Sequence, residues 1–344
     1  MADEVRFGIV GLGMGRDRAN KAVNTPGARL VAVCDILEER GAAAAKDLGV
    51  EWIKDYDEML GRDDIDAIGV FTPSGWHCDF AIQALQAGKH AFTTKPMDLE
   101  VAKCDTAIRE AETRGLVLAV DFESRYNPNN HRIRAAVQGG ALGRIVLGDL
   151  RMKWFRSQTY YATGSPAGWR SRYATERGSM ANQGVHYVDL LQWWLGPVKT
   201  VLGGFGTFAH KIESEDTATG ILQFESGAYG VVVTTTCSFP DRGTSLEISG
   251  TRGTIAWQDQ NLVLAKAVAG GADAGEWDAP EAQDLDLSTF PAPDDLPPHI
   301  IADMVRAITT GTPVQCDGHE GRKAVALFQA VYESCKSGQP VSPP

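Results

Sequence analysis

Residues 5–16 read Val-Arg-Phe-Gly-Ile-Val-Gly-Leu-Gly-Met-Gly-Arg, an apolar strand that breaks into glycines and then opens a helix. A buried parallel strand ending this way brings backbone N–H groups and a helix N-terminus close to a phosphate, which is what a dinucleotide requires. Gly11 and Gly13 stand where φ must be positive or where a Cβ would obstruct a pyrophosphate. The third glycine is out of step with a G-x-G-x-x-G pattern. Position 16 is Arg16 and Gly15 comes one residue early, so the turn, with Leu12 and Met14 inside it, must be tightened or reshaped.

The next apolar run, Arg29 to Cys34, ends in Asp35. A dinucleotide fold needs an acid there, roughly 20 residues past the glycines, to accept hydrogen bonds from the adenosine ribose. A carboxylate also repels a ribose 2′-phosphate, so NAD is expected over NADP. Arg16 and Arg40 soften that preference and leave NADP open. Without the glycines, Asp35 would read as a strand end and a helix cap.

Apolar runs at 7–10, 30–34, 67–71, 91–93 and 116–120 alternate with helical stretches at 37–48, 78–88 and 99–114. That alternation predicts βαβ units and a doubly wound parallel sheet over residues 1–121, an α/β dinucleotide-binding domain. After Asp121 the runs lengthen and glycine turns join them: 143–155, 198–208, 218–224 with 228–237, and 246–249 with 254–257. These read as antiparallel hairpins of a second, α+β domain over 122–344, interrupted by one helix at 181–195 and closed by helices at 300–309 and 321–336. The Gly-, Ala-, Asp- and Pro-rich stretch 269–298 is expected to be a long loop without chemistry.

A chain of 344 residues suits two such cores. Its net charge of -11 disfavours nucleic acid, whose binders need basic surface, and no apolar run is long enough for a membrane span. A small-molecule partner is expected. The six cysteines are scattered with no C-x-x-C pair or metal spacing, so no metal is expected. No basic and apolar leader follows Met1, which makes the cytoplasm the expected compartment.

Two constellations carry chemistry. Lys95-Pro96 follows the run 91–94 and places an amine at the C-terminal edge of the parallel sheet, where ligands bind in such folds. Pro96 fixes the turn and is a candidate for a cis bond. Thr72, Pro73 and Ser74, followed by Trp76 and His77, end the third run at the same edge and wall one side of the crevice. By position alone, a lysine at a strand end is a solvated charge. The second is Asn182-Gln183-Gly184-Val185-His186-Tyr187-Val188-Asp189, where a helix puts Asn182 and His186 on one face and Asp189 within reach of the ring. Such a histidine moves protons near neutral pH; a core histidine satisfied locally is the alternative.

Gly11-Leu12-Gly13, the stretch Thr72-Pro73-Ser74-Gly75-Trp76-His77 running into Ala84-Leu85-Gln86-Ala87-Gly88-Lys89-His90, Lys95-Pro96, and Asn182-Gln183-Gly184-Val185-His186 together resemble the glucose-fructose oxidoreductase / inositol dehydrogenase (Gfo/Idh/MocA) family. Glu215-Asp216-Thr217-Ala218, Gly250-Thr251-Arg252-Gly253-Thr254 and Glu320-Gly321-Arg322 agree, so the resemblance spans nearly the whole chain. It implies a Rossmann domain, a C-terminal α+β domain with an open antiparallel sheet, and hydride transfer between NAD(P) and a sugar or polyol hydroxyl. It also implies homodimers or homotetramers packed through that sheet. Lys95 matches the family's catalytic lysine and His186 its catalytic histidine. Asn182 falls where many members have aspartate, and Thr94 where glutamate is usual. An amide positions a hydroxyl but takes no proton, so the base is His186 or Lys95. This pattern is similar to enzymes acting on nucleotide-sugar uronates and related sugars.

Oxidising an alcohol needs a base within reach of the hydroxyl and a cationic donor for the developing alkoxide. His186 is assigned as base and Lys95 as donor or relay, with the reverse assignment open. The two are expected to meet over one nicotinamide ring. Trp154-Phe155-Arg156, Tyr160-Tyr161 and Trp169-Arg170 offer rings for sugar faces and guanidinium forks for carboxylate or phosphate, or else form a protein interface. Glu123, Arg125 and Asn127 are further candidates near the nicotinamide. Rival readings are an aldose–aldose oxidoreductase that retains its cofactor, an NAD-dependent glycoside hydrolase, and a nucleotide-sensing regulator without turnover.

Overall fold

The run Val5–Val10 becomes the middle of a parallel sheet, which suits its almost continuous burial. The computed structural model describes residues 4–268 and 281–344. Its first sheet comprises β1 Val5–Val10, β2 Ala28–Cys34, β3 Glu51–Ile53, β4 Ala67–Val70, β5 His90–Thr94 and β6 Leu118–Asp121, ordered β3-β2-β1-β4-β5-β6. The winding reverses between β1 and β4, and the crevice beyond their carboxyl ends is where such sheets take a ligand. The doubly wound sheet expected from sequence is present. Only the edge strand β3 escapes the reading, since three residues are too few to show a period.

Contacts divide the chain into two compact units, one reaching to Tyr126 and taking in Pro297–Val325, the other Asn127–Leu296 with Ala326–Pro344. The return segment, expected in the second domain, therefore lies in the first. Its helix Ile300–Thr310 puts Ile300, Ile301 and Met304 into the same core as Phe7, Ile9 and Leu30. Each fully buried side chain of this kind contributes about 2 kcal/mol, which ties the segment down.

The second unit holds β7 Ile145–Lys153, β8 Val198–Gly206, β9 Thr217–Phe224, β10 Tyr229–Thr235, β11 Thr244–Gly250, β12 Gly253–Gln258, β13 Asn261–Val268 and β14 Ala282–Asp284. They form one sheet ordered β14-β13-β12-β11-β7-β10-β9-β8. The expected hairpins β9–β10 and β11–β12 are antiparallel, but β7 and β10 run parallel, so the sheet is mixed. The connection from β7 to β10 passes through the α-helices Gln158–Ala162 and Val185–Leu195 and two strands, long enough for a parallel crossover. Of the expected loop 269–298, residues 269–280 lie outside the described residues, and Ala282–Asp284 pairs with β13.

Helices cover one face of this sheet. Leu191 and Leu195 of the helix Val185–Leu195 lie over Gly148, where a Cβ would come within 2.6 Å of Leu195, and Val331 of the last helix lies over Gly203. On the opposite face the register pairs Leu147 with Tyr229 and Ile221 with Leu202, all exposed.

Candidate active site

In the first unit the glycine turn carries three distinct duties. Gly11 has φ +85°, and a Cβ there would lie 2.4 Å from the Phe71 carbonyl oxygen. Gly13 would meet nothing within 4 Å, leaving its backbone open to a ligand. Gly15 opens the helix Gly15–Asn24, where a Cβ would press on Phe71 at 3.0 Å and Ile9 at 3.1 Å. The early third glycine thus serves the close helix–strand packing that the fingerprint's last glycine serves, one residue sooner.

Asp35 closes this turn from β2. Its Oδ2 accepts the Leu12 N–H at 2.8 Å and its Oδ1 the Leu37 N–H at 2.9 Å. Arg40 grips both oxygens, Nε at 2.7 Å and Nη2 at 2.9 Å, while the Asp35 side chain is almost wholly buried. Met14 is exposed, and Arg16 pairs with Asp47 on the surface.

The rim of the crevice is built by the ends of β4 and β5. His77 is buried with Nδ1 2.7 Å from the Pro96 carbonyl and Nε2 2.7 Å from the Thr72 carbonyl, so one imidazole sits between the two strand ends. Burial pushes that ring down to about 4, so it is neutral near pH 7 and donates from one nitrogen. The Lys95–Pro96 peptide is cis. Lys95 follows directly on β5, beside the buried Thr94, whose strand partner is Asp121. Ser74 is buried, Trp76 is partly exposed, and Pro73 precedes the single turn Ser74–Trp76. The Thr72 hydroxyl is buried and makes no hydrogen bond among the described residues.

Two further residues expected near the ligand make ion pairs within the first unit. Arg125 is buried and its guanidinium holds Glu320 at 3.0 Å, anchoring the turn Glu123–Tyr126 to the last helix. Glu123 turns to Arg18 at 2.5 Å, and Arg18 also holds Asp121 at 2.7 Å.

In the second unit the expected helix 181–195 is two things: a π-helical turn Ser179–Gly184 and the α-helix Val185–Leu195. Asn182 stands on the π turn and His186 in the first turn of the α-helix, so the simple one-turn spacing does not hold. Glu215 anchors the start. It accepts Ser179 Oγ at 2.6 Å, Met180 N–H at 2.8 Å and Tyr332 OH at 3.0 Å. Gly178, at φ +76°, leaves no room for a Cβ, which would fall 2.0 Å from the Glu215 carbonyl oxygen.

Around this turn the structure gathers several expected residues with two that sequence reading missed. Asn182 Nδ2 donates to Glu176 Oε2 at 2.5 Å, and Gln183 Nε2 donates to Asn182 Oδ1 at 2.8 Å and to Tyr160 OH at 2.6 Å. The Arg170 guanidinium lies 4.8 Å from the Tyr160 ring and 4.5 Å from that of Trp169, and Arg156 lies 5.6 Å from Tyr160. Tyr161 instead points inward, buried, its hydroxyl 2.7 Å from Thr236 Oγ1. Adjacent residues of a short helix face different ways, so one of two tyrosines belongs to the core. Asn127 caps the helix Pro128–Gln138. Glu176 stands outside every motif, and Gln183, though inside the stretch 182–186, has no role read for it; the unforeseen π turn brings both to Asn182.

Among the described residues, His210, Asp216 and Cys237 form one group whose donor atoms lie within 4.8 Å of one another. Asp216 already accepts the N–H groups of Phe208, Ala209 and His210, so the group reads as the anchor of its own loop.

A positive-φ glycine, an open Gly13, a buried acid at the end of β2 and an unbonded Thr72 hydroxyl fit a dinucleotide. Residues 5–122 match the family model described as oxidoreductase family, NAD-binding Rossmann fold, and residues 130–256 match the GFO/IDH/MocA C-terminal domain. Fold and site thus define an NAD-binding oxidoreductase. The chain belongs to the Gfo/Idh/MocA family. The scyllo-inositol 2-dehydrogenase (NAD(+)) of Bacillus subtilis (strain 168) is 28% identical over 263 residues, 74% of each chain. The D-apiose dehydrogenase of Paraburkholderia graminis is 26% identical over 329 residues, 92% of this chain and 83% of the other. Among solved structures, the WlbA dehydrogenase from Bordetella pertussis in complex with NADH and UDP-GlcNAcA has a TM-score of 0.84 at 29% identity, covering 99% of both chains. No helix among the described residues is long and apolar enough to cross a membrane.

Proposed function

We propose that this chain oxidises a secondary hydroxyl of a sugar or sugar derivative with NAD. The observation that carries the reading is the glycine turn locked to Asp35 at the switch point of the first sheet, with Lys95 at the adjoining strand end. Bound NAD supplies the acceptor for the hydride leaving the carbinol carbon. The turn Gly11–Gly15 and the N-terminus of the helix after it hold the pyrophosphate, Asp35 the adenosine ribose, and Thr72 a polar group of the cofactor. His186 takes the hydroxyl proton, Lys95 donates to the oxygen as negative charge develops, and Asn182 orients the substrate. The reverse assignment of Lys95 and His186 is the other arrangement the chemistry allows.

Within this class a substrate bearing a carboxylate or phosphate is favoured by the guanidinium groups of Arg156 and Arg170, both close to the Tyr160 ring. The UDP-GlcNAcA complex of the Bordetella protein supports the same choice. We further propose a cytoplasmic homo-oligomer, its contact the exposed pairs Leu147–Tyr229 and Ile221–Leu202. The test is NADH formation against neutral sugars, polyols, uronates and nucleotide-sugar uronates, with NADP in parallel and cofactor content measured after desalting. Turnover of an anionic sugar with exchangeable NAD is expected. Retained cofactor with turnover only between two sugars would favour the aldose–aldose rival, and NAD binding without turnover of any substrate would favour a regulator.

A further inference from the structure

The backbone of Arg156 is held from both sides. Its N–H donates to the Thr236 carbonyl at 2.9 Å, and its carbonyl oxygen lies 2.8 Å from Nε2 of His210, an almost wholly buried ring. On the other edge of that ring Nδ1 lies 3.1 Å from Asp216 Oδ2, with Cys237 Sγ 3.7 Å from the same nitrogen and the Tyr161 ring 4.7 Å away. Both oxygens are acceptors, so the hydrogen on Nε2 is the one that reaches Arg156. Asp216 is itself fixed: its carboxylate accepts the N–H groups of Phe208, Ala209 and His210, and its carbonyl accepts the Thr236 N–H at 2.9 Å. Burial raises that carboxyl, but the backbone N–H bonds outweigh burial and hold it below the usual carboxylate range, so it meets the ring as an anion. Asp216, Thr236, Arg156 and His210 thus close a circuit of hydrogen bonds. Beside it, Gln158 Oε1 accepts the Lys211 N–H at 2.8 Å, joining the same two segments again.

What the circuit fixes is the stem of a charged group. The Arg156 guanidinium lies 4.8 Å from the Trp154 ring and 5.6 Å from the Tyr160 ring, and its Nη1 donates to the Phe155 carbonyl at 2.8 Å. We propose that His210 is a positioning residue for anionic substrates: through the Arg156 carbonyl it fixes where that guanidinium stands beside Tyr160, and so sets the affinity for the carboxylate or phosphate of the sugar, an assignment that rests on the proposed preference for an anionic sugar. His210 acts through Arg156 and touches no substrate. Asp216 then has two tasks, closing its own loop and aiming the ring.

The test compares His210→Gln, His210→Asn and His210→Ala. A glutamine amide reaches the place of Nε2 and keeps a donor for Arg156, whereas an asparagine amide reaches only the place of Nδ1 and keeps one for Asp216. A ring that serves the Arg156 carbonyl is therefore replaced by glutamine, and a ring that serves its own loop alone by asparagine. Amide exchange over residues 154–162 is expected to quicken by about fivefold or more in His210→Asn and His210→Ala, and to stay within about twofold of the parent in His210→Gln. With NAD present, KM for a uronate or nucleotide-sugar uronate is expected to rise by about fivefold or more in His210→Asn and His210→Ala and to stay within about twofold in His210→Gln. In all three, kcat, NAD affinity and KM for a neutral sugar are expected within about twofold of the parent. Once Arg156→Ala has removed the guanidinium, adding His210→Asn is expected to change KM for the anion no further. If His210→Ala does not accumulate as folded protein, the other two variants carry the comparison. Rescue by asparagine as good as by glutamine, equal losses for anionic and neutral sugars, or a further loss in the Arg156→Ala background overturns the proposal. Calorimetry with the same uronate separates it from the proposed activity. The same order of Kd values in a chain that reduces no NAD supports the positioning role and defeats the oxidation; a parent that oxidises neutral sugars and binds no anionic one does the reverse.

Discussion

The backbone N–H of Leu12 donates to Asp35 Oδ2 at 2.8 Å, so the glycine turn after β1 and the acid after β2 are one construction. Asp35 also accepts the Leu37 N–H and both prongs of Arg40. Replacing it with Ala strands two backbone donors and a partly exposed guanidinium. A buried donor left unmade costs about 1–3 kcal/mol. Asp35→Ala is expected to lower the melting temperature by several degrees and to weaken NAD binding by about tenfold or more. Fluorescence titration with NAD and a thermal melt on one preparation check both.

Gly11 and Gly13 stand two residues apart and separate folding from binding. Gly11→Ala forces a side chain onto φ +85° and against the Phe71 carbonyl at 2.4 Å, so stability falls, by more than about 1 kcal/mol. Gly13→Ala touches nothing within 4 Å, so stability stays within about 0.5 kcal/mol of the parent. Its methyl nevertheless enters the space through which a pyrophosphate approaches, and NAD affinity should drop. Denaturant midpoints and NAD titrations on the two variants should therefore move in different combinations; a Gly13→Ala protein that binds NAD normally would remove Gly13 from the cofactor site.

Glu215 makes stability depend on pH. Burial raises its carboxyl from 4.5 to about 8, against the opposing hydrogen bonds from Met180, Ser179 and Tyr332. The folded chain then keeps a proton that the unfolded chain releases, so the folded state is favoured at low pH and loses that advantage as pH rises through about 4.5 to about 8. Glu215→Gln cannot ionise and lacks this slope. The melting temperature of the parent minus that of Glu215→Gln should shrink between about pH 5 and pH 8; a constant difference would show that the carboxyl does not titrate in that window.

The first sheet was legible because its strands are buried on both faces and end in glycine or proline punctuation, which periodicity detects. The return of Pro297–Val325 to the first unit was not, since an amphipathic helix states that it has a partner without saying which. At the candidate site, Lys95, Asn182, His186, Tyr160 and Arg170 could be named from motif and composition. Glu176 could not. Its part follows from a π-helical turn that Gly178, Glu215 and Tyr332 hold in place, a non-local arrangement with no sequence period. Tyr161 shows the converse: its composition suggests a ligand, while its hydroxyl is already spent on Thr236.

The proposed preference for an anionic sugar assigns Arg170 the task of separating anionic from neutral substrates. Its guanidinium lies 4.5 Å from the Trp169 ring and 4.8 Å from the Tyr160 ring, a stacked position that orients the planar fork. Arg170→Ala should raise KM for a uronate or nucleotide-sugar uronate by about tenfold or more, and for a neutral sugar by less than about threefold, since a charge-assisted contact contributes about 1.5–3 kcal/mol. Equal effects on both classes would assign Arg170 to packing alone.

The proposed oxidation assigns the handling of one proton to Lys95 and His186, and variants of each tell their parts apart. Removing either group, as Lys95→Ala or His186→Ala, should reduce kcat/KM by roughly 10²–10⁴-fold, with NAD affinity kept within about threefold. If Lys95 acts as a cationic donor, Lys95→Arg keeps the positive charge and recovers part of the rate, because stabilising a developing alkoxide needs a donor and not a proton acceptor. If Lys95 is the base, arginine cannot deprotonate and Lys95→Arg is as slow as Lys95→Ala. His186 as base predicts in addition that kcat/KM falls on the acid side as the imidazole takes up a proton, and that His186→Gln loses this limb while keeping the ring's hydrogen-bonding reach. Rate profiles of these four variants across neutral pH, each with an NAD titration, decide between the two assignments, and variants that all retain turnover within a few-fold of the parent would remove both residues from the chemistry.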